Sequence, residues 1–211
     1  MKRTRLLSIA LTIVVAILAA GGGVWLAHNV FRQPSVPTTA NATVIRPARA
    51  LPDFELLDDS GRAFTRANLE GRWSLVFFGF THCPAICPNT LTVLQQTRTA
   101  LETLPPELQP QLVFVSVDPE RDTPEKIHDY VRFFGPALKG VTGAPERIAA
   151  LTDALGVPVS RVPLPDGGYT VDHSAAIFLV NPRGEFNALF SPPQTAQSIA
   201  SDYRLIVQAA T

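Results

Sequence analysis

The sequence predicts an α/β domain, a mixed sheet flanked by helices. Three observations carry that expectation. Two unbroken apolar runs of strand length, 73–80 (WSLVFFGF) and 111–117 (QLVFVSV), are each followed by a segment with helical apolar spacing. A later pair of strand-like runs is joined by Asn181-Pro182-Arg183-Gly184, and an apolar-periodic segment ends the chain. Continuous apolar runs suit strands covered on both faces, and strands alternating with helices suit a layered architecture.

The elements follow in chain order. Phe54, Leu56 and Phe64 flank Asp58-Asp59-Ser60-Gly61, which reads as a short hairpin. Trp73 to Phe80 is the first buried strand. The next helix carries Leu91, Leu94, Leu101 and Leu104 and is expected to begin at about Pro88, because proline inside a helix loses a backbone bond. Gln111 to Val117 is the second buried strand. Thr123 and Pro124 suit a helix cap and first turn, with Ile127, Tyr130, Val131 and Phe134 as the apolar stripe. Pro145 to Leu155 is a further helix stopped by Gly156. Tyr169 to Val180 and Glu185 to Phe190 read as two strands, and a helix from Pro193 or Gln194 to Gln208 closes the chain. This order fits a thioredoxin-like fold.

The 211 residues are 46% hydrophobic and 17% charged with zero net charge. That excludes a disordered chain, and no basic field points to nucleic acid. Residues 1–33 hold Lys2, Arg3, Arg5 and Arg32 and no acid, which leaves 18 acidic and 14 basic residues beyond them. Leu6 to Ala27 is an uncharged run of 22 residues, long enough as a helix to cross a hydrocarbon core of ~30 Å. The basic cluster before it should stay cytoplasmic, with the rest outside. The alternative is a cleaved signal peptide with Ala19-Ala20-Gly21 as the cleavage site. The length of the run and Trp25 near its end favour a single transmembrane anchor. The organisation read from sequence is therefore 1–27 tip and anchor, 28–50 flexible tether rich in Pro, Thr, Ala and Asn, and 51–211 folded domain.

Chemistry concentrates at one strand-to-helix junction, Thr81-His82-Cys83-Pro84-Ala85-Ile86-Cys87-Pro88, which holds both cysteines of the chain. Two cysteines exclude a disulfide-dense scaffold and a four-cysteine zinc site. The helix N-terminus favours thiolate over thiol. A loop this short gains little from a structural staple, so the pair reads as redox-active or metal-binding. The two sulfurs either close as a disulfide or converge on one soft ion, which then needs a third ligand. Met1 is the only methionine, so the four histidines supply the candidates. His28 lies in the tether, His82 adjoins Cys83 too closely for easy sharing of an ion, and His128 reads as solvated on a helix. His173 stands at the mouth of an apolar strand, where a site residue and an ordinary loop histidine are equally good readings. Asp172 either orients that ring or caps a turn. Two sulfurs and an imidazole suit copper, since thiolate selects Cu(I) and imidazole accepts both oxidation states.

Three motifs together make the sequence resemble the Sco/SenC family: Gly79-Phe80-Thr81-His82-Cys83-Pro84-x-x-Cys87-Pro88, then 115–124 (VSVDPERDTP), then Asp172-His173-Ser174. The resemblance covers about residues 50–208. It implies a thioredoxin-like fold and copper ligands at Cys83, Cys87 and His173, with the fold bringing His173 to the cysteine pair. It implies as partner the binuclear copper (CuA) site of subunit II of cytochrome c oxidase, either loaded with copper or prepared by thiol reduction. An upstream copper donor and a thiol reductant are implied without being identified. Ala85-Ile86 departs from the many members that carry an acidic residue between the cysteines. Two functional classes follow: a membrane-anchored copper chaperone without turnover, placed on the periplasmic face of the inner membrane, and a thiol-disulfide oxidoreductase using Cys83 and Cys87. The resemblance assigns no role to Asp118 to Asp122, which reads first as a strand-end turn leading to a helix cap with an internal ion-pair network, and second as a docking element.

Overall fold

The computed structural model describes residues 13–26, 37–165 and 167–210. Residues 13–26 are helical (α1), and they form a unit separate from the residues that begin at Pro37. The expected span of Leu6 to Ala27 falls partly outside the described residues, as does His28. Among the described residues, no helix is long and apolar enough to cross a membrane.

From Ala42 onward the element order is β1 (Ala42–Ala50), β2 (Glu55–Asp58), β3 (Ala63–Thr65), β4 (Ser74–Gly79), α2 (Ile86–Ala100), β5 (Gln111–Ser116), α3 (Pro124–Phe134) and β6 (Leu138–Thr142). It continues with α4 (Pro145–Leu155), β7 (Val159–Pro163), β8 (Tyr169–His173), β9 (Ile177–Val180), β10 (Glu185–Phe190) and α5 (Ala196–Gln208). Eight strands make one mixed sheet in the order β1-β10-β9-β4-β5-β6-β2-β3, while β7 and β8 pair separately. Strands β4, β5 and β6 run parallel; the other pairings are antiparallel.

The apolar runs behave as expected. Every residue of β4 is buried. Val76 and Phe78 share an apolar layer with Leu151 and Leu155 of α4. On the opposite face Phe77 contacts Phe114, which in turn meets Tyr130 of α3. Helix α3 starts as read: Thr123 accepts the Lys126 N–H and Pro124 fills the first position. Gly156 ends α4 in the left-handed conformation, φ +70°.

Three expectations need correction. The tether does not extend to residue 50, because Ala42–Ala50 is an edge strand on β10. Its Pro47 is tolerated at an edge, and a register shift between Val44 and Arg49 breaks its alternation. The buried Asp202 carboxylate of α5 clasps the chain just before it, accepting the N–H groups of Ala40, Asn41 and Ala42 at 2.7–3.1 Å. Helix α2 begins at Ile86, two residues before Pro88, since the first-turn N–H groups have no intrahelical partner for proline to remove. The run Tyr169 to Val180 is two strands in two sheets, broken at residues 174–176. Strands β6 and β7 carry no clear sequence signal: the first is short and holds Gly140, the second is wholly exposed and ends in Pro163.

Candidate metal centre

Sheet topology assembles the site. Gly79 ends β4 opposite Ser116, which ends β5. In parallel neighbours the loops that follow both strands leave at the same edge, so the cysteine turn meets the segment Asp118 to Asp122. Strand β9 runs against β4 and pairs Ile177 with Phe77. Its start lies near that same edge, and the preceding segment brings His173 to the cysteines.

The turn is built by local hydrogen bonds. Cys83 N–H donates to the Phe80 carbonyl at 3.2 Å. Ala85 stands at the N-cap of α2 and has no side-chain acceptor. Cys83 Sγ takes that role, accepting the Cys87 N–H at 3.3 Å, one of the donors a helix start leaves open. Both cysteines are free and buried, Cys87 completely. Gly79 permits this burial: a Cβ there would lie 2.8 Å from both Cys87 Sγ and Phe114 Cε2.

His173 completes the group. Its Nε2 lies 3.3 Å from Cys87 Sγ, although the two residues are 86 apart in sequence. Its Nδ1 lies 3.0 Å from the Ser174 carbonyl. A carbonyl only accepts, so Nδ1 carries the proton and Nε2 presents its lone pair to the sulfurs. The rings of Phe77 and Phe80 pack edgewise on the imidazole, with centroids at 6.0 and 5.7 Å. One ligand atom from each of Cys83, Cys87 and His173 falls within 4.8 Å of the others, a group able to hold a metal ion.

Burial sets the protonation of the site. Desolvation lowers the His173 pKa and favours the neutral imidazole that a metal requires. Desolvation, with the Cys83 sulfur adding to it, pushes the Cys87 thiol far above its ordinary value. The thiolate expected from the helix N-terminus is therefore corrected at Cys87: complete burial outweighs the helix-end field. Without a cation the pair is a thiol and imidazole, with Cys87 able to donate toward His173 Nε2. A soft cation would displace the thiol proton.

The other sequence candidates separate from this group. Asp172 is exposed, and the Ser174 carbonyl, not the Asp172 carboxylate, fixes the His173 ring. His82 points to Thr81 Oγ1 at 3.1 Å and lies 3.8 Å from Asp122 Oδ1. His128 is not simply solvated, since its Nδ1 lies 3.6 Å from Asp59 Oδ2.

The segment Asp118 to Asp122 takes the first of its two readings, a turn with internal charge pairs, and it supports the site directly. Asp122, fully buried, accepts from Thr81 N at 2.9 Å, Thr81 Oγ1 at 2.5 Å and Ser116 Oγ at 2.6 Å. It thus ties down the chain two residues before Cys83. Asp118, also fully buried, accepts from Arg121 Nε and, at 2.8 Å, from the Tyr169 hydroxyl. Gly79 and Arg121 both stand in the family-like motifs, but the sequence gives neither a role of its own, because it does not show which strand ends share an edge.

An apolar groove of about 420 Å³ opens beside the group, bounded by Phe80, Cys83, Ile86, Val162 and His173. It gives a second molecule access to the cysteine turn.

Comparison with known proteins agrees with this geometry. The SCO1/SenC family model matches residues 43–208. The chain is 40% identical over 206 residues to "Protein SCO2 homolog, mitochondrial" of Bos taurus, covering 96% of this chain and 74% of that one. Arabidopsis thaliana ScoI, solved with copper bound, superposes with a TM-score of 0.71 at 35% identity, over 75% of this chain and 98% of that one. Bradyrhizobium japonicum ScoI, also solved with copper bound, gives 0.67 at 36% identity, over 74% and 99%.

Proposed function

The chain belongs to the SCO1/SenC family, and from that premise we propose that it is a copper chaperone carrying one copper ion as cargo on Cys83, Cys87 and His173. The observation that carries the proposal is the convergence of two buried sulfurs and a neutral imidazole nitrogen within 4.8 Å. Thiolate suits Cu(I), and the imidazole accommodates Cu(II) as well. The relatives solved with copper bound support the choice of metal. Three protein ligands leave copper open to an incoming thiolate or imidazole, so transfer proceeds by ligand exchange across the neighbouring groove. The receiving site is the CuA centre in subunit II of cytochrome c oxidase. Residues 6–27 anchor the chain in the inner membrane, and the folded domain works on the periplasmic side. The tether is then the stretch between residue 28 and β1.

The test is a titration of the reduced full-length chain in detergent with Cu(I) against a competing chelator. One tightly held copper per chain is expected, with stoichiometric binding lost in Cys83→Ser and Cys87→Ser and weakened in His173→Ala. Binding that is not stoichiometric, or is indifferent to His173→Ala, overturns the proposal.

A second reading has its own support, since both sulfurs are free and lie within one ligand-shell distance. As a reductant, one cysteine thiolate attacks a target disulfide and releases one target thiol. The other cysteine then displaces the second, leaving a Cys83–Cys87 disulfide and two electrons on the target. Copper carriage is the stronger reading because it uses the imidazole of His173 seated beside the sulfurs, whereas disulfide exchange needs the two cysteines alone. A trapped mixed disulfide in a single-cysteine variant, with reductase activity retained in His173→Ala, would reverse that order.

A further inference from the structure

Strand β8 carries His173 but lies outside the eight-stranded sheet; it pairs with β7 alone. Its end reaches the sheet through residues 174–176 and β9, so the position of the imidazole depends on that link and on how the rest of the hairpin is fastened to the body of the domain. The fastening converges on Arg121. Its Nη1 donates to the Tyr169 carbonyl, at the start of β8, at 3.0 Å. Its Nε donates to Asp118, whose other oxygen accepts the Tyr169 hydroxyl at 2.8 Å. The guanidinium carbon sits 3.8 Å from the centroid of the Tyr169 ring and 5.8 Å from that of Phe80. Phe80 in turn packs edgewise on the His173 imidazole. On the outer side Arg161 of β7 stacks on the Tyr169 ring at 4.8 Å and pairs with Glu120 at 2.7 Å.

We infer that Arg121 is a positioning residue for His173. It holds both the strand that carries the imidazole and the ring that supports it, and it fixes them to the end of β5. The same turn supplies Asp122, which holds Thr81 before Cys83. One short segment thereby sets the distance between the two halves of the centre. The planar fork of arginine is needed, because one group must meet a carboxylate, a carbonyl and a ring face together; a lysine ammonium meets the carboxylate as a point charge. This inference rests on the assignment of His173 as a copper ligand.

The test is a double-substitution cycle on the reduced full-length chain, read as Cu(I) affinity by chelator competition. Arg121→Lys keeps a cation beside the buried Asp118 carboxylate while removing the fork. It should weaken binding by about 10–100-fold, the range for residues that orient a metal ligand. In the His173→Ala background the same substitution should change affinity less than about threefold. An equal loss in both backgrounds means that Arg121 acts on the fold at large and overturns the inference, as does unchanged affinity in Arg121→Lys alone. A metal-free reading accompanies it: the imidazole resonances of His173 should shift in Arg121→Lys, and unchanged resonances count against positioning. Should Arg121→Lys fail to fold, Tyr169→Leu, which removes the ring and hydroxyl that Arg121 holds, runs through the same cycle with the same expected outcomes. If His173→Ala by itself leaves affinity unchanged, the copper assignment has failed, a result separate from either outcome for Arg121.

Discussion

Replacing Gly79 by alanine adds one carbon at the point where β4 passes the cysteine pair. The backbone at Gly79 does not need glycine's conformational freedom, since its φ is not positive. On backbone grounds alone the change would stabilise the chain by about 0.4–1 kcal/mol through the unfolded state. Packing has the opposite sign. The new Cβ would meet Cys87 Sγ at 2.8 Å, Phe114 Cε2 at 2.8 Å and Phe77 Cε1 at 3.1 Å, all on completely buried side chains with nowhere to retreat. Overpacking of this kind costs about 1–3 kcal/mol. The net expectation is a loss of about 1–2 kcal/mol, which lowers Tm by roughly 2–8 °C for a domain of this size. Of the three contacts only the Cys87 sulfur belongs to the metal-binding group, 3.3 Å from His173 Nε2, so displacing it disturbs that group. The assays are thermal unfolding of the reduced, metal-free chain and chelator competition for Cu(I). Both stability and affinity should fall. A variant as stable as the parent with unchanged affinity would refute the claim that Gly79 exists to admit the Cys87 sulfur.

Asp58 makes a pH-dependent contribution. Burial alone would raise its pKa, but the N–H groups of Arg62 and Ser60 and the Arg62 side chain outweigh it and hold the carboxyl below its ordinary value of 3.8. A depressed native pKa means that the stabilisation is complete above the unfolded value and lost as pH falls through the native one. Asp58→Asn should lower stability near neutrality by about 1–3 kcal/mol and flatten the acid limb of the stability curve below that value, measured by urea unfolding at several pH values; an unchanged limb contradicts the assignment. Asp122→Asn should loosen the cysteine turn, because an amide cannot accept from Thr81 N, Thr81 Oγ1 and Ser116 Oγ as a carboxylate does. Faster alkylation of Cys83 in the reduced chain is expected, and an unchanged rate would count against it. Thr195→Ala should cost about 1 kcal/mol by removing the acceptor for the Ser198 N–H at the start of α5, a loss read from unfolding midpoints.

The order of strands and helices was readable because β4 and β5 are apolar on both faces and because Thr123-Pro124 and Gly156 mark helix ends chemically. Strands that draw their stability from neighbours left weaker traces. Nothing in Ala42–Ala50 shows that β10 will pair with it, and the exposed β7 has no buried face to create alternation. The cysteine pair announced itself through its junction with α2. His173 could not be separated from an ordinary loop histidine without its family resemblance, since its nearness to Cys87 arises from the antiparallel course of β9 along β4. Asp172 drew notice as a carboxylate beside a histidine, yet a backbone carbonyl that no sequence pattern marks holds the ring. The protonation of Cys87 is hidden from the sequence for a related reason: the helix end is visible there, whereas the depth of burial is a property of the packed sheet.

The most direct test of the central claim is X-ray absorption at the copper edge on the reduced, Cu(I)-loaded full-length chain, compared with His173→Ala. Two sulfurs and one nitrogen are expected around copper in the parent chain, with the nitrogen lost in the variant. A shell of sulfur alone, or a nitrogen that survives His173→Ala, would contradict the claim.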